Sequence, residues 1–190
     1  SSIGIWFSSC IVVCSIYTYD TFSIFRSDNR NFIVASPLST FSVLFYNILF
    51  CVLIGSIELV VSYFTICFLN GSQLSFMHFL CIFFNIIPVI LFFIAFGIIL
   101  SFYENQNIAM SIISLLCVSF IQFAQILINL KNEIVYFPLF STIKNVADYV
   151  LSTGSDFKFF PMFIMYLISF FVLISAFYIS IKKIKKNYER

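Results

Sequence analysis

Charged side chains are scarce in this sequence of 190 residues. They make up 9% of the chain, whereas hydrophobic residues make up 62% and the mean hydropathy is +1.07. Soluble domains typically carry about 25% charged residues, so a water-soluble fold is excluded. Because roughly 20 apolar residues cross a bilayer as a helix, the chain has room for about five or six crossings. We therefore expect a single all-α transmembrane domain, residues 1–190, in contact with a lipid bilayer.

Motifs for catalysis and for phosphate binding are also missing. No Gly-x-x-x-x-Gly-Lys-Ser/Thr loop occurs, so any ATP that this chain uses is expected on a partner subunit. His78 is the single histidine, and one histidine without a partner makes neither a haem site nor a zinc site. There is no nucleophile constellation and no Cys-x-x-Cys pair. We expect no enzyme activity, no bound cofactor or metal, and no nucleic acid partner.

Disulfides are not expected either, although the chain has six cysteines. All six lie inside apolar runs, where a reduced cysteine behaves as a small core residue. They are Cys10, Cys14, Cys51, Cys67, Cys81 and Cys117.

Five apolar runs, separated by clusters of charged, proline, glycine and asparagine residues, predict five membrane-spanning helices. Their expected bounds are Ile3–Phe22, Phe41–Leu69, Phe76–Ser101, Ala109–Leu130 and Pro161–Ile181. Pro88 lies inside the third span and predicts a kink, with a neighbouring helix bonding the carbonyl that proline frees. Because the chain begins at Ser1 rather than at methionine, the presence of a sixth helix upstream is left open.

The basic tail predicts the orientation. It follows the last span directly and contains Lys182, Lys183, Lys185, Lys186 and Arg190. Such residues stay on the cytoplasmic or matrix side, so counting back puts the 23–40 loop inside and the 131–160 loop outside. In the outer loop, apolar residues recur at helical spacing between Pro138 and Gly154, which predicts an amphipathic segment at the outer interface.

The inner loop is the first group of candidate functional residues. Residues 28–35 are expected to form a short helix that Ser27 caps and Pro37 ends. The residues that this loop offers to a cytoplasmic partner are Arg26, Asp28, Arg30, Phe32 and Pro37. An ordinary solvated connector is the alternative interpretation.

The loop then leads through Ser36-Pro37-Leu38-Ser39 into a long apolar helix, a layout that resembles the ABC-2 class of exporter permeases. The resemblance implies that the inner loop is a coupling helix docking on a separate ATP-binding subunit, and that the 138–154 segment is re-entrant. It also implies export of an amphipathic substrate by a homodimer or by an assembly with other membrane subunits.

Within that class, four short pieces resemble the haem-exporter permease family of cytochrome c maturation. They are the stretches 3–6, 25–28, 97–128 and 176–181. The chain departs from that family because no acidic pair followed by glycine comes after Asp28, and no Leu-Pro-Leu-Tyr-type segment lies near Phe120. This resemblance implies a role in moving haem across the membrane.

Polar residues inside two spans are the second group of candidates. On the second span Asn47, Glu58, Ser62 and Thr65 return to one helical face, and on the fourth a similar stripe contains Ser111, Ser114, Gln122, Gln125 and Asn129. A carboxyl group in hydrocarbon is costly, so Glu58 is expected to face protein or a wet cavity. The two stripes are interpreted as the lining of a substrate path between protomers, or alternatively as interhelical hydrogen bonds.

A membrane subunit of an organelle-encoded respiratory complex, with a structural or proton-path role, is the alternative function. Glu58 lies inside a predicted span, and an ionisable residue at such a place is typical of a proton path. The 28 phenylalanines indicate the coding bias of an AT-rich genome. We therefore expect the mitochondrial inner membrane or the cytoplasmic membrane of a low-GC bacterium.

Overall fold

The computed structural model describes residues 2–23, 39–70, 76–102, 105–129, 141–142 and 159–188. These residues are almost entirely helical, and no strand occurs among them. The five long helices are α1 (Ser2–Ser23), α2 (Thr40–Asn70), α3 (Phe76–Ser101), α4 (Gln106–Asn129) and α5 (Phe159–Tyr188). The predicted all-α fold is therefore confirmed for this part of the chain.

Capping residues fix where two of the helices begin. Ser39 precedes α2, and its Oγ accepts a hydrogen bond from the backbone N–H of Ser42 at 3.2 Å. Asn105 does the same for α4, because its Oδ1 accepts the N–H of Asn107 at 3.1 Å. A side-chain oxygen at this position satisfies an N–H group that has no partner within the helix. The Asn105 cap begins α4 three residues before the expected Ala109.

Three helices are long and apolar enough to cross a membrane among the residues described. The qualifying stretches are Phe41–Thr65, Phe79–Ser101 and Phe159–Ile184. They belong to α2, α3 and α5, and their composition is consistent with an integral membrane protein. That α1 and α4 also cross the membrane remains a prediction.

The third helix, α3, lies at the centre of the bundle. It packs against α1, α2 and α5, while α1 packs in addition against α2 and α4. Accordingly 56% of an apolar stretch of 18 residues in α3 is buried. The corresponding share is 22% for α2 and 17% for α5. The outward faces of α2 and α5 carry large apolar side chains such as Leu53, Phe170 and Phe171. These faces suit contact with lipid.

Close pairs of residues show that α2 runs antiparallel to both α1 and α3. The pairs are Tyr17–Phe50 and Cys14–Gly55 between α1 and α2, and Ile90–Gly55 and Phe79–Tyr63 between α3 and α2. Residue numbers rise along one partner as they fall along the other. It follows that α1 and α3 are parallel to each other.

The last helix, α5, is parallel to α3. The Tyr166 hydroxyl donates to the Phe84 carbonyl at 2.7 Å, and the Lys183 Nζ lies 3.5 Å from the Phe102 carbonyl. Residue numbers therefore rise together along these two helices. As a consequence, the ends of α1 and α3, the start of α2 and the basic part of α5 all lie at one end of the bundle.

Candidate functional site

The polar residues of α2 lie along one edge of the helix. Asn47, Glu58 and Ser62 are half-buried, and Thr65 is exposed. Ser62 Oγ lies 3.4 Å from Glu58 Oε1, a weak hydrogen bond in which the hydroxyl donates. Thr65 instead donates to the Val61 carbonyl of its own helix at 2.8 Å. The structure thus brings Glu58 and Ser62 together at the border between buried and exposed surface.

The polar residues of α4 occupy its outward face. The side chains of Ser111, Ser114 and Gln122 are exposed, whereas Ala109 and Ile113 are buried. Because α4 packs against α1, the polar stripe points away from the bundle. The side chains of Gln125 and Asn129 lie outside the described residues.

Within one chain, the described parts of the two stripes do not face each other. The edge of α2 that carries Asn47 and Glu58 adjoins α1, since the Cys51 thiol on that side lies against the hydroxyls of Thr18 and Thr21. The stripe of α4 is exposed on the side of that helix that faces away from α1. A path lined by both stripes would need a second protein surface, and it stays a prediction.

The carbonyl that Pro88 leaves free has a partner on a neighbouring helix. In a regular helix the N–H of residue 88 would bond the Phe84 carbonyl, but proline leaves that oxygen free. The Tyr166 hydroxyl of α5 donates to it at 2.7 Å, and Ser169 Oγ donates to the Pro88 carbonyl at 2.6 Å. This confirms that a neighbouring helix bonds the freed carbonyl. The sequence did not indicate that Tyr166 bonds this carbonyl or that Ser169 bonds the carbonyl of Pro88.

Asn85 is a buried polar residue that sequence analysis also missed. Its side chain is 0% exposed, and Nδ2 donates to the Cys81 carbonyl one turn earlier at 2.8 Å. Oδ1 has no hydrogen-bond partner among the described residues. An amide inside a strongly apolar run is the signal that could have identified it, since a polar group in such a run normally faces protein.

The candidate coupling residues Arg26, Asp28, Arg30, Phe32 and Pro37 lie outside the described residues, as does most of the outer amphipathic segment. The chain enters the inner loop at Ser23 and leaves it at Ser39. Both points lie at the end of the bundle where Lys183 sits over the Phe102 ring, 5.5 Å from its centroid. The two ends of the loop, Ser23 and Ser39, therefore lie at the end of the bundle that carries the basic part of α5.

The prediction that the cysteines are core residues is confirmed for two of the three whose side chains the structure describes. Cys14 and Cys51 are buried core residues, while Cys81 is half-buried. Among the described side chains, no three of the types His, Cys, Asp and Glu gather into a possible metal site. The side chain of His78 lies outside the described residues.

Comparisons with known proteins return no relative. No family model, no curated protein and no solved structure matches this chain. A function is therefore inferred from its own residues and helices.

Proposed function

We propose that this chain is the membrane-spanning permease subunit of an ABC-type exporter, coupled to a separate ATP-binding subunit. The observation that carries the proposal is the shared end of the bundle: Ser23, Ser39 and Lys183 lie there together. An inner loop at the positively charged end faces the cytoplasm or matrix, where an ATP-binding subunit would dock. Arg26 and Arg30 supply charge for such a contact, and Phe32 supplies an apolar anchor.

In this proposal, ATP hydrolysis on the partner moves the inner loop and with it α1 and α2. Of these two helices, α2 carries the half-buried Glu58, which offers one polar group to an amphipathic substrate. Movement of the helices then exposes the path alternately to each side of the membrane. The chain itself forms no bond to ATP and carries out no chemical step.

Purification of the intact, tagged chain from its native membrane in mild detergent tests the proposal. We expect an ATP-binding subunit to co-purify in a stoichiometric amount. Recovery of a megadalton respiratory assembly instead would replace the exporter by the alternative of a respiratory-complex subunit.

Charge reversal in the inner loop gives a sharper test. The double variant Arg26→Glu/Arg30→Glu should bind the ATP-binding subunit about tenfold more weakly, because interface charges that face a complementary surface become repulsive. Thermal unfolding of the purified chain should not change. The matched control is Lys131→Glu/Lys144→Glu, which makes the same change of charge in the predicted outer loop. Equal binding by the two double variants would remove the inner loop from the docking site.

A further inference from the structure

The outward face of α5 ends in a lysine. Three large side chains follow one another along this face at helical spacing, and each is well exposed: Phe171 (74%), Ile174 (66%) and Tyr178 (66%). We call these three residues the apolar strip of α5. Lys182 is exposed and comes one turn after Tyr178 on the same side of the helix. This side is opposite to Ala176, which is buried where α5 packs against α3. Lys182 therefore continues the line of the apolar strip.

The length of this line matches one leaflet of a bilayer. Lys182 follows Phe171 by 11 residues, which corresponds to about 16 Å along the helix axis at roughly 1.5 Å per residue. The hydrocarbon core of a bilayer is about 30 Å thick, so one leaflet contributes about 15 Å. A phospholipid whose acyl chain lies along the apolar strip would therefore bring its phosphate to the level of the Lys182 ammonium group.

The charge of Lys182 is not balanced by a carboxylate in the described part of the chain. The carboxylates there are Asp20 on α1 and Glu58 on α2, and neither forms an ion pair with Lys182. The surrounding sequence is positive as well, since residues 182–190 contain five basic residues and one acidic residue. Basic clusters that directly follow a membrane-spanning helix attract lipids with negative headgroups. An anionic group is therefore the partner that complements Lys182.

We propose that the apolar strip of α5 and Lys182 together bind an anionic phospholipid. Its phosphate contacts the Lys182 ammonium group, and one acyl chain lies on the strip. The occupant is a lipid rather than a water-soluble anion because the charge is continuous with an exposed apolar surface. It is an anionic rather than a zwitterionic lipid because a zwitterionic headgroup carries its own cation beside the phosphate. The inference goes beyond the exporter function, since it needs only that α5 crosses the membrane.

Fluorescence quenching by brominated lipids tests the site in the full chain. Trp6 is the single tryptophan, so the variant Trp6→Phe/Ile174→Trp has its only tryptophan on the apolar strip. The variant is reconstituted into vesicles of phosphatidylglycerol and phosphatidylcholine in equal amounts, with bromine on the acyl chains of one lipid or of the other. We expect phosphatidylglycerol to be enriched about fivefold beside position 174, the effect of one lysine near the membrane surface. A control with the tryptophan at Phe163, an exposed residue near the other end of α5, should show no enrichment. Equal quenching by the two lipids at position 174, or the same enrichment at both positions, would overturn the proposal.

Two lysine substitutions separate a specific site from general attraction by the basic tail. Lys182→Gln, made in the variant with tryptophan at position 174, should abolish the enrichment, whereas Lys182→Arg should keep it. Lys183→Gln removes the same charge from a neighbouring lysine whose Nζ instead lies 3.5 Å from the Phe102 carbonyl, and it should leave most of the enrichment. Equal losses in the two glutamine variants, or no loss in Lys182→Gln, would overturn the proposal. These measurements do not involve an ATP-binding subunit, so a negative result here leaves the exporter proposal standing.

Discussion

At the scale of single residues, the hydrogen bond from Tyr166 to the Phe84 carbonyl links α5 to α3. Proline at position 88 removes the N–H that would bond the Phe84 carbonyl, and the Tyr166 hydroxyl replaces that donor at 2.7 Å. Tyr166→Phe keeps the ring but leaves the carbonyl without its donor. We expect a loss of about 1 kcal/mol in the free energy of unfolding, measured in detergent micelles.

A double-mutant cycle isolates the role of Pro88 in this contact. In a Pro88→Ala background the helix N–H is restored, so removal of the Tyr166 hydroxyl should cost much less than it does beside proline. The control Tyr178→Phe removes a hydroxyl from an exposed tyrosine of the same helix and should have little effect. Identical costs in the two backgrounds would show that Tyr166 acts independently of Pro88.

At the scale of helices, two glycines set how closely α1 approaches its neighbours. A Cβ on Gly97 would lie 2.9 Å from both the Ser15 carbonyl oxygen and Thr18 Cβ. Since backbone and Cβ atoms cannot rotate away, Gly97→Ala should force α1 and α3 apart and cost about 1–3 kcal/mol. Thermal unfolding in detergent measures the loss.

The second glycine offers a matched comparison. A Cβ on Gly55 would lie 2.7 Å from Cys14 Sγ and 3.0 Å from Ile90 Cγ2. Gly55→Ala should therefore destabilise the bundle as well, but Cys14→Ala should restore part of that loss because it removes the closer of the two atoms. The same Cys14→Ala change should not rescue Gly97→Ala. Rescue of both glycine variants alike would contradict the geometry of these contacts.

The positions of the helices could be predicted from the sequence, whereas their contacts could not. The third span was predicted as Phe76–Ser101, and α3 has these bounds, because polar clusters interrupt the apolar runs sharply. The last helix runs beyond the predicted Ile181 to Tyr188, since lysines are good helix formers outside the bilayer. An apolar run shows where a helix lies along the chain. It does not show which side of the helix packs inward, because these helices are apolar on nearly every side.

The candidate site shows the same limit. Spacing alone predicted that the polar residues of α4 share a face, and their exposure confirms this for Ser111, Ser114 and Gln122. Spacing could not predict that this face points away from α1, because that depends on which side of α4 packs inward. For the same reason Tyr166 and Ser169, which lie about 80 residues from Pro88 in the sequence, had no local signal.

At the scale of the whole molecule, the helix directions predict which side of the membrane each end of the bundle faces. The ends of α1 and α3, the start of α2 and the basic part of α5 lie together. The lysines from Lys182 to Lys186 predict that this end faces the cytoplasmic or matrix side. Compared with the unaltered chain and its six cysteines, the variant Ser39→Cys should therefore gain reaction with a membrane-impermeant maleimide only when the inner side is accessible. The variant Phe160→Cys, at the start of α5, should react only from the outer side. Reaction of both variants from one side would contradict the parallel arrangement of α3 and α5 and the antiparallel course of α2. With these helix directions, Ser39 and Phe160 lie at opposite ends of the bundle and therefore on opposite sides of the membrane.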